Sequence, residues 1–217
     1  MRSLFRKLAD LLYPPRCFLC SELLTGEEET VCEACRRQVF SEEETHRFKY
    51  EFVEKGVAPF TYKGKVRESV YALKFGKQTW IARPASNFML EAAEAADITA
   101  DVITWIPMRG AEKRKRGFDQ SELLAGELGK RVGMKACRTL EKTKKTQRQS
   151  SLSARERRAN VLGAYICPDP ERVRGKSVVL VDDVVTTGST VSEAARVLRT
   201  AGAGTVYVIA LAKSDLS

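Results

Sequence analysis

The chain has 217 residues, 43% of them hydrophobic, enough for one solid core and a small accessory module. Lys and Arg number 37 against 28 Asp and Glu, a formal net charge of +9 with a pI near 9.3. That excess favours polyanionic partners (nucleic acid, phosphorylated small molecules, an anionic membrane surface) over cationic ones, with plain solubility as the alternative. No apolar stretch approaches the roughly 20 residues of a membrane-spanning helix, and with a single histidine, His46, histidine-based catalytic triads are effectively excluded.

At the N-terminus Leu4, Leu8, Leu11 and Leu12 recur at helical spacing, with Arg2, Arg6, Lys7 and Asp10 around the rest of the wheel. This predicts a short amphipathic helix that ends at Pro14-Pro15. Asp10 and Arg6 interrupt the apolar run and no small-residue cleavage site follows, so a cytoplasmic protein is the expectation. Then come Cys17-Phe18-Leu19-Cys20, eleven intervening residues, and Cys32-Glu33-Ala34-Cys35. Two C-x-x-C units at this separation let four thiolates converge on one Zn²⁺, and with all four positions taken by cysteine the metal is structural; a redox dithiol is the alternative. His46, among Glu42, Glu43, Glu44, Arg47 and Lys49, reads as a solvated surface residue.

Val57 to Tyr62 has strand character, Val66, Val70, Leu73, Lys74 and Phe75 suit a helix, and Trp80 to Ala96 suits another. Val102 to Ile106 reads as a buried strand stopped by Pro107. Arg109, Lys113, Arg114, Lys115 and Arg116 follow as a basic loop, before a helix beginning at Gly117-Phe118-Asp119-Gln120 and carrying Leu123, Leu124 and Leu128. At the carboxyl end of a strand such a loop can meet a pyrophosphate or a nucleic-acid backbone; taken alone it is a solvated surface. The stretch from Lys142 to Arg158 is densely basic with few apolar anchors, and is expected to be a mobile lid or a phosphate-contacting track. Cys137 and Cys167 stand alone and read as packing residues. Gly163 to Ile166 and Val206 to Leu211 return to strand pattern.

The most informative stretch is Ser177 to Thr200, SVVLVDDVVTTGSTVSEAARVLRT. Val178 to Val181 is a buried strand, with Asp182 and Asp183 placed at its end. A hydroxyl-rich loop, Thr186-Thr187-Gly188-Ser189-Thr190, precedes a helix marked by Ala194, Ala195, Val197 and Leu198. Unpaired N–H groups at a helix start, the helix dipole and the loop hydroxyls suit a phosphate. Carboxylates only accept, so beside a phosphate the two aspartates suit the hydroxyl pair of a ribose. A sugar 5-phosphate fits the whole arrangement, whereas a solvated DD turn and an ordinary N-cap are what the pieces would mean separately.

LVDDVVTTGST resembles the phosphoribosyl pyrophosphate (PRPP) loop of type I phosphoribosyltransferases. The resemblance implies that Asp182 and Asp183 hold the ribose hydroxyls and that the segment through Val184, Thr186, Thr187, Gly188, Ser189 and Thr190 holds the sugar and its 5-phosphate, with Mg²⁺ accompanying PRPP. Nearly the full chain is similar to the ComF/GntX family: Pro-Pro before the paired C-x-x-C units, Tyr71-Ala72-Leu73-Lys74-Phe75, Pro107, Arg116-Gly117-Phe118-Asp119-Gln120, the spaced Gln149, Leu152, Arg157 and Asn160, and Gly175-Lys176 before the PRPP loop. Asp119 departs from it, since the family usually carries Asn there and a carboxylate lacks the amide's two donors.

The implied fold is α/β, a type I phosphoribosyltransferase-like parallel sheet flanked by helices (residues 51–217), preceded by an N-terminal helix and a small four-cysteine zinc module (residues 1–50). The implied function is a competence (DNA-uptake) factor that binds PRPP or a related sugar phosphate and single-stranded DNA. It would act beside a competence helicase/translocase of the ComFA type, in the cytoplasm or at the inner face of the membrane through such partners. The alternative is a working phosphoribosyltransferase with an unidentified nucleobase or nucleic-acid acceptor, in which Arg109, Lys113, Arg114, Lys115 and Arg116 would stabilise departing pyrophosphate. No residue pattern names a general base or an acceptor.

Overall fold

The computed structural model describes residues 14–24, 30–40, 45–144 and 161–214. Within them the elements run α1 (Glu33–Phe40), β1 (His46–Phe48), β2 (Lys55–Ala58), β3 (Phe60–Thr61), α2 (Gly64–Phe75), a 3-10 turn (Thr79–Ile81) leading into α3 (Ala82–Glu94), β4 (Val102–Trp105), α4 (Gly110–Arg116) and α5 (Gln120–Arg131). They continue with β5 (Glu141–Lys142), β6 (Tyr165–Ile166), a second 3-10 turn (Pro170–Arg172), β7 (Ser177–Val185), α6 (Ser189–Thr200) and β8 (Thr205–Lys213). The helix expected at Leu4–Leu12 and residues 145–158 of the basic stretch lie outside the described residues.

The apolar runs at Val178 and Val206 become the two central strands. β7 pairs with β8 in parallel, β4 flanks β7 and β2 flanks β8, all parallel, with β3 continuing beside β8 and β1 joining antiparallel at the β2 edge. Alternate residues of a strand face opposite sides, and the core divides accordingly. Val179, Val181, Ile209 and Leu211 pack with α2, α3 and α5 on one face. Val178, Leu180, Val206 and Val208 pack with α6 and the Leu140, Tyr165 and Val173 segment on the other. Covering both faces is what a parallel sheet requires. Truncating one of these fully buried side chains, such as Leu180, would cost roughly 2–5 kcal/mol, so the sheet is a stiff platform for whatever its carboxyl edge carries.

The cysteine segment shares the first of these cores. Phe18 and Leu19 are buried against Val66, Val70 and Met89, and Phe18 lies 5.9 Å from Phe60 and 5.4 Å from Phe88 between ring centroids. Ser69 Oγ donates to the carbonyl of Phe18 at 2.6 Å. The expected division at residue 50 falls between β1 and β2, two strands of one sheet.

Candidate functional site

The carboxylates do not end the strand. β8 is nine residues long and stays in register beyond the apolar run, pairing Asp182 with Ala210 and Val185 with Lys213, so the hydrogen-bonded ladder carries β7 through both aspartates. Strand alternation then sends the two carboxylates to different partners. Asp182 Oδ1 accepts from Ser121 Oγ at 3.0 Å and from the Asp183 amide at 2.9 Å. Asp183 Oδ1 accepts from the Val184 amide at 2.7 Å, and its Oδ2 lies 2.8 Å from the Lys74 ammonium. That contact is a buried ion pair, and the Lys74 ammonium is the partner that holds Asp183 Oδ2. A carboxylate oxygen offers more than one acceptor direction, so it keeps acceptor capacity beyond the ammonium.

Charge is unevenly shared across this cluster. Burial, then the neighbouring Asp183 charge, pushes the Asp182 carboxyl up to about 7, against the opposing pull of Lys74. Burial also works against the Lys74 ammonium, but Asp183 and Asp182 outweigh it and hold Lys74 above the ordinary lysine value.

Past Val185 the chain turns through Thr186 and Thr187 into α6. Gly188 has φ of 79°, and a Cβ there would lie 2.4 Å from Tyr50 Cε1, so only glycine suits this turn. Tyr50 Oη donates to the Thr186 carbonyl at 3.3 Å and Lys213 Nζ to the same oxygen at 3.2 Å, pinning the loop from two sides. Thr187 Oγ1 and Ser189 Oγ are 3.0 Å apart. Gly188 occupies the N-cap and no side chain caps α6, so the helix start presents backbone donors and the positive end of its dipole to an anion. Val184 is half-buried and packs against the core, a supporting residue. A cavity of about 360 Å³ opens beside the loop, lined by Tyr50, Thr187, Ser189, Ser192, Glu193 and Arg196 among others; neither aspartate lines it.

The basic loop is a helix. Ala, Glu, Lys and Arg are good helix formers, and α4 runs from Gly110 to a left-handed Gly117 whose amide donates to the Lys113 carbonyl. Its five cations do not converge on one point. Arg109 pairs with Glu112 at 3.5 Å and Lys113 with Glu122. Arg114 and Lys115 are exposed. Arg116 donates to Gln120 Oε1 at 2.5 Å and lies 4.9 Å from the centroid of the Phe75 ring. The buried Arg109 Nε has no hydrogen-bond partner among the described residues.

Asp119 caps α5. Its Oδ1 accepts from the amides of Ser121 and Glu122, and its Oδ2 from the Met108 amide at 2.9 Å. Only acceptors are used, which accounts for a carboxylate where the resembling family has an amide. The same bonds tie the strand end at β4 to the start of α5 and so place Ser121 against Asp182.

Lys142, expected in a mobile stretch, is the second residue of β5, because antiparallel pairing with β6 holds it against Tyr165. Its ammonium is 5.6 Å from that ring's centroid. Burial lowers its pKa. His46, expected in solvent, is half-buried and bonded through Nε2 to Thr61 Oγ1 at 2.8 Å, since β1 is an edge strand lying along β2. Cys137 and Cys167 pack against the second core, as expected.

Sequence reasoning gave no role to Lys74, Ser121 or Tyr50, and placed Lys142 only in a mobile basic lid or phosphate-contacting track. A signal existed for two of them. Lys74 follows Val66 and Val70 at four-residue intervals, and Ser121 precedes Leu124, Ala125 and Leu128 on one stripe, so both are polar residues on apolar helix faces. A buried charge needs a partner.

The thiols of Cys17, Cys20, Cys32 and Cys35 come together with all four Sγ atoms within 4.8 Å of one another, Cys20 and Cys32 at 3.7 Å. Four sulfurs about 2.3 Å from a central Zn²⁺ at tetrahedral angles would be separated by distances of this order, so the residues fit the ion.

Residues 117–215 match the family described as phosphoribosyl transferase domain, and residues 8–46 match the double zinc ribbon domain. The "DNA utilization protein YhgH" of Escherichia coli O157:H7 is 37% identical over 151 residues, 67% of this chain and 66% of that protein. "Competence protein F" of Haemophilus influenzae is 30% identical over 152 residues, with the same shares. The chain thus matches about two thirds of the length of these relatives. The solved "structure of the allosteric regulatory enzyme of purine biosynthesis" aligns with a TM-score of 0.42 at 26% identity, covering 60% of this chain and 26% of that one. The phosphoribosyl transferase match takes in the central strands β7 and β8 and the acidic, hydroxyl-rich turn, and the zinc ribbon match falls on the four converging thiols, which supports a structural zinc. The chain belongs to the ComF/GntX family, with a type I phosphoribosyltransferase fold behind a four-cysteine zinc module.

Proposed function

We propose that this protein binds PRPP or a related sugar 5-phosphate at the end of β7 and handles single-stranded DNA in natural competence. The observation that carries the sugar-phosphate half is the pairing of two buried carboxylates, one of them with acceptor capacity beyond its ion pair to Lys74, with a glycine-started helix that no side chain caps. In this reading Asp182 and Asp183 accept from the ribose hydroxyls, while the backbone and hydroxyls from Thr186 to Thr190 take the 5-phosphate. Mg²⁺ would arrive with the pyrophosphate. The DNA half is supported by the net charge of +9, by exposed Arg114 and Lys115, and by the names of the relatives. Action beside a helicase of the ComFA type, in the cytoplasm or at the membrane's inner face, belongs to this reading too; among the described residues no helix is long and apolar enough to cross a membrane.

Titration calorimetry with ribose 5-phosphate, and with PRPP plus Mg²⁺, tests it. Asp182→Ala with Asp183→Ala is expected to abolish binding while the protein stays folded; unchanged affinity would overturn the assignment. The second reading is turnover, supported by the phosphoribosyl transferase match over residues 117–215; Lys142, held in β5 beside the Tyr165 ring, is the lysine to test in it. Pyrophosphate release from PRPP that depends on one base or oligonucleotide, and fails in Lys142→Met, is the outcome that reading requires.

A further inference from the structure

Helix α2 faces two ways. Val66, Val70 and Leu73 are buried, and Lys74 turns inward to Asp183. On the outer side Arg67, Tyr71 and Phe75 succeed one another at intervals of four residues, which stacks them along one stripe. Tyr71 is 63% exposed and Phe75 56%, the two rings 4.8 Å apart and inclined at 48°. Trp80, 38% exposed, follows in the next turn of chain. Large aromatic side chains in solvent forfeit the roughly 1.5–3 kcal/mol that burying one would return, so a cluster of them marks a surface with a partner.

The surroundings specify which partner. Arg116 lays its guanidinium over the Phe75 ring and is steadied there by Gln120. Arg114 and Lys115 are exposed on the same short helix, and Lys77 is exposed just past the end of α2. The nearby carboxylates are engaged, Glu68 with Lys65 and Glu112 with Arg109. What remains is an open aromatic face edged with positive charge. Protein interfaces also enrich aromatic residues and Arg, but they deplete Lys; here one guanidinium lies over a ring and the exposed lysines Lys77 and Lys115 flank the two helices, which suits a flat base on a phosphate chain.

We propose that Tyr71 and Phe75, with Arg116 over Phe75, form a stacking platform for an unpaired base of single-stranded DNA. The inference rests on the reading that the protein binds such DNA, and it locates the base contact on α2, apart from the phosphate contacts of Arg114 and Lys115. Stacking tolerates any base, so the platform would hold a strand without selecting its sequence. Because Lys74 on the same helix touches Asp183, a strand seated here would lie one helix width from the sugar-phosphate turn.

Fluorescence anisotropy of the full chain with a short labelled thymidine strand, and with the same strand carrying abasic sites, separates the possibilities. Wild type is expected to bind the abasic strand roughly ten-fold more weakly. Tyr71→Ala with Phe75→Ala should bind the intact strand about as weakly as wild type binds the abasic one, and lose nothing further on the abasic strand. Arg114→Ala with Lys115→Ala should weaken both strands alike and flatten the salt dependence. Zinc content and melting temperature check that each variant is folded. If the aromatic variant binds the intact strand as wild type does, while the cation variant is impaired, the platform is wrong and DNA binding stands. If the aromatic variant loses equally on both strands, the rings do not stack on a base and the inference fails. If wild type binds neither strand, the DNA reading itself falls and this one with it.

Discussion

The cysteine corner and the acidic turn are both small, and they are organised by different means. Around the four thiols the described backbone offers an isolated bridge, Arg16 to Leu23, the two-turn helix α1 and a few loop hydrogen bonds such as Phe18 N–H to the Thr30 carbonyl. Rings of Phe18, Phe40, Phe60 and Phe88, packed 5.3 to 5.9 Å apart, add to these, and a zinc ion held by the four sulfurs would add more. The acidic turn sits on the longest strand pair, with donors and acceptors fixed by β8, α2 and α5 before any ligand arrives. On the proposed reading, one region would be held by the ion it binds, while the other is ordered before its ligand arrives. Such preorganisation lowers the ordering cost of association.

The strongest way to test this contrast is to remove the metal. Cys17→Ser, or chelation of the wild type, is expected to eliminate zinc from the purified protein and to raise hydrogen exchange in residues 14–24 and 30–40, since a structural zinc contributes folding energy directly. Exchange in β7 and β8, and affinity for ribose 5-phosphate, should change by less than about three-fold. Should sugar-phosphate binding vanish with the zinc, the two regions are coupled through the shared ring cluster and the contrast collapses.

A second probe attacks the turn from inside. Lys74→Met removes the cation from two buried carboxylates, and breaking a buried pair at one partner costs roughly 3–5 kcal/mol. The pH dependence sharpens this. The Asp182 carboxyl is raised from its unfolded value to about 7, so between about pH 4 and 7 the folded state holds a proton that the unfolded chain has lost. Stability must therefore fall as pH rises through that window. Without Lys74 the carboxyl rises further and the decline extends above pH 7. Melting temperatures of both proteins from about pH 5 to pH 9 measure it, and parallel curves would mean that Lys74 does not govern Asp182.

The same contrast decides what could be read from residues alone. Cys17, Cys20, Cys32 and Cys35 were legible because thiols at that spacing have few other uses, and the VVLVDDVVTTGST run was legible because its residues are contiguous. The long strands and most helices followed from apolar periodicity. What escaped was contact between elements. Nothing local says that Lys74 of α2 reaches Asp183, that Tyr50 covers Gly188, or that Arg116 leaves its basic neighbours for Phe75. The strand's continuation through Asp182 and Asp183 depends on the length of β8, which lies beyond the next helix. His46 looked solvated among charges because an edge pairing with β2 has no sequence signature in three residues.

The smallest expected effect concerns Asp119, where departure from the family motif meets a buried cap. Both carboxylate oxygens accept backbone N–H groups, yet burial raises its pKa despite those donors. The ionised form is thus less at home in the fold than the neutral one, and stability attributable to this group declines as pH rises from the ordinary carboxylate value through the raised one. Asp119→Asn keeps one acceptor for α5 and removes the charge. It should unfold within about 1 kcal/mol of wild type at neutral pH and lose this part of the pH dependence, whereas Asp119→Ala, with no cap, should lose about 1 kcal/mol or somewhat more. If denaturant unfolding shows Asn falling as far as Ala, the bond from the Met108 amide to the second oxygen outweighs the relief of burial. The carboxylate would then be required for joining the end of β4 to α5, the connection that puts Ser121 against Asp182.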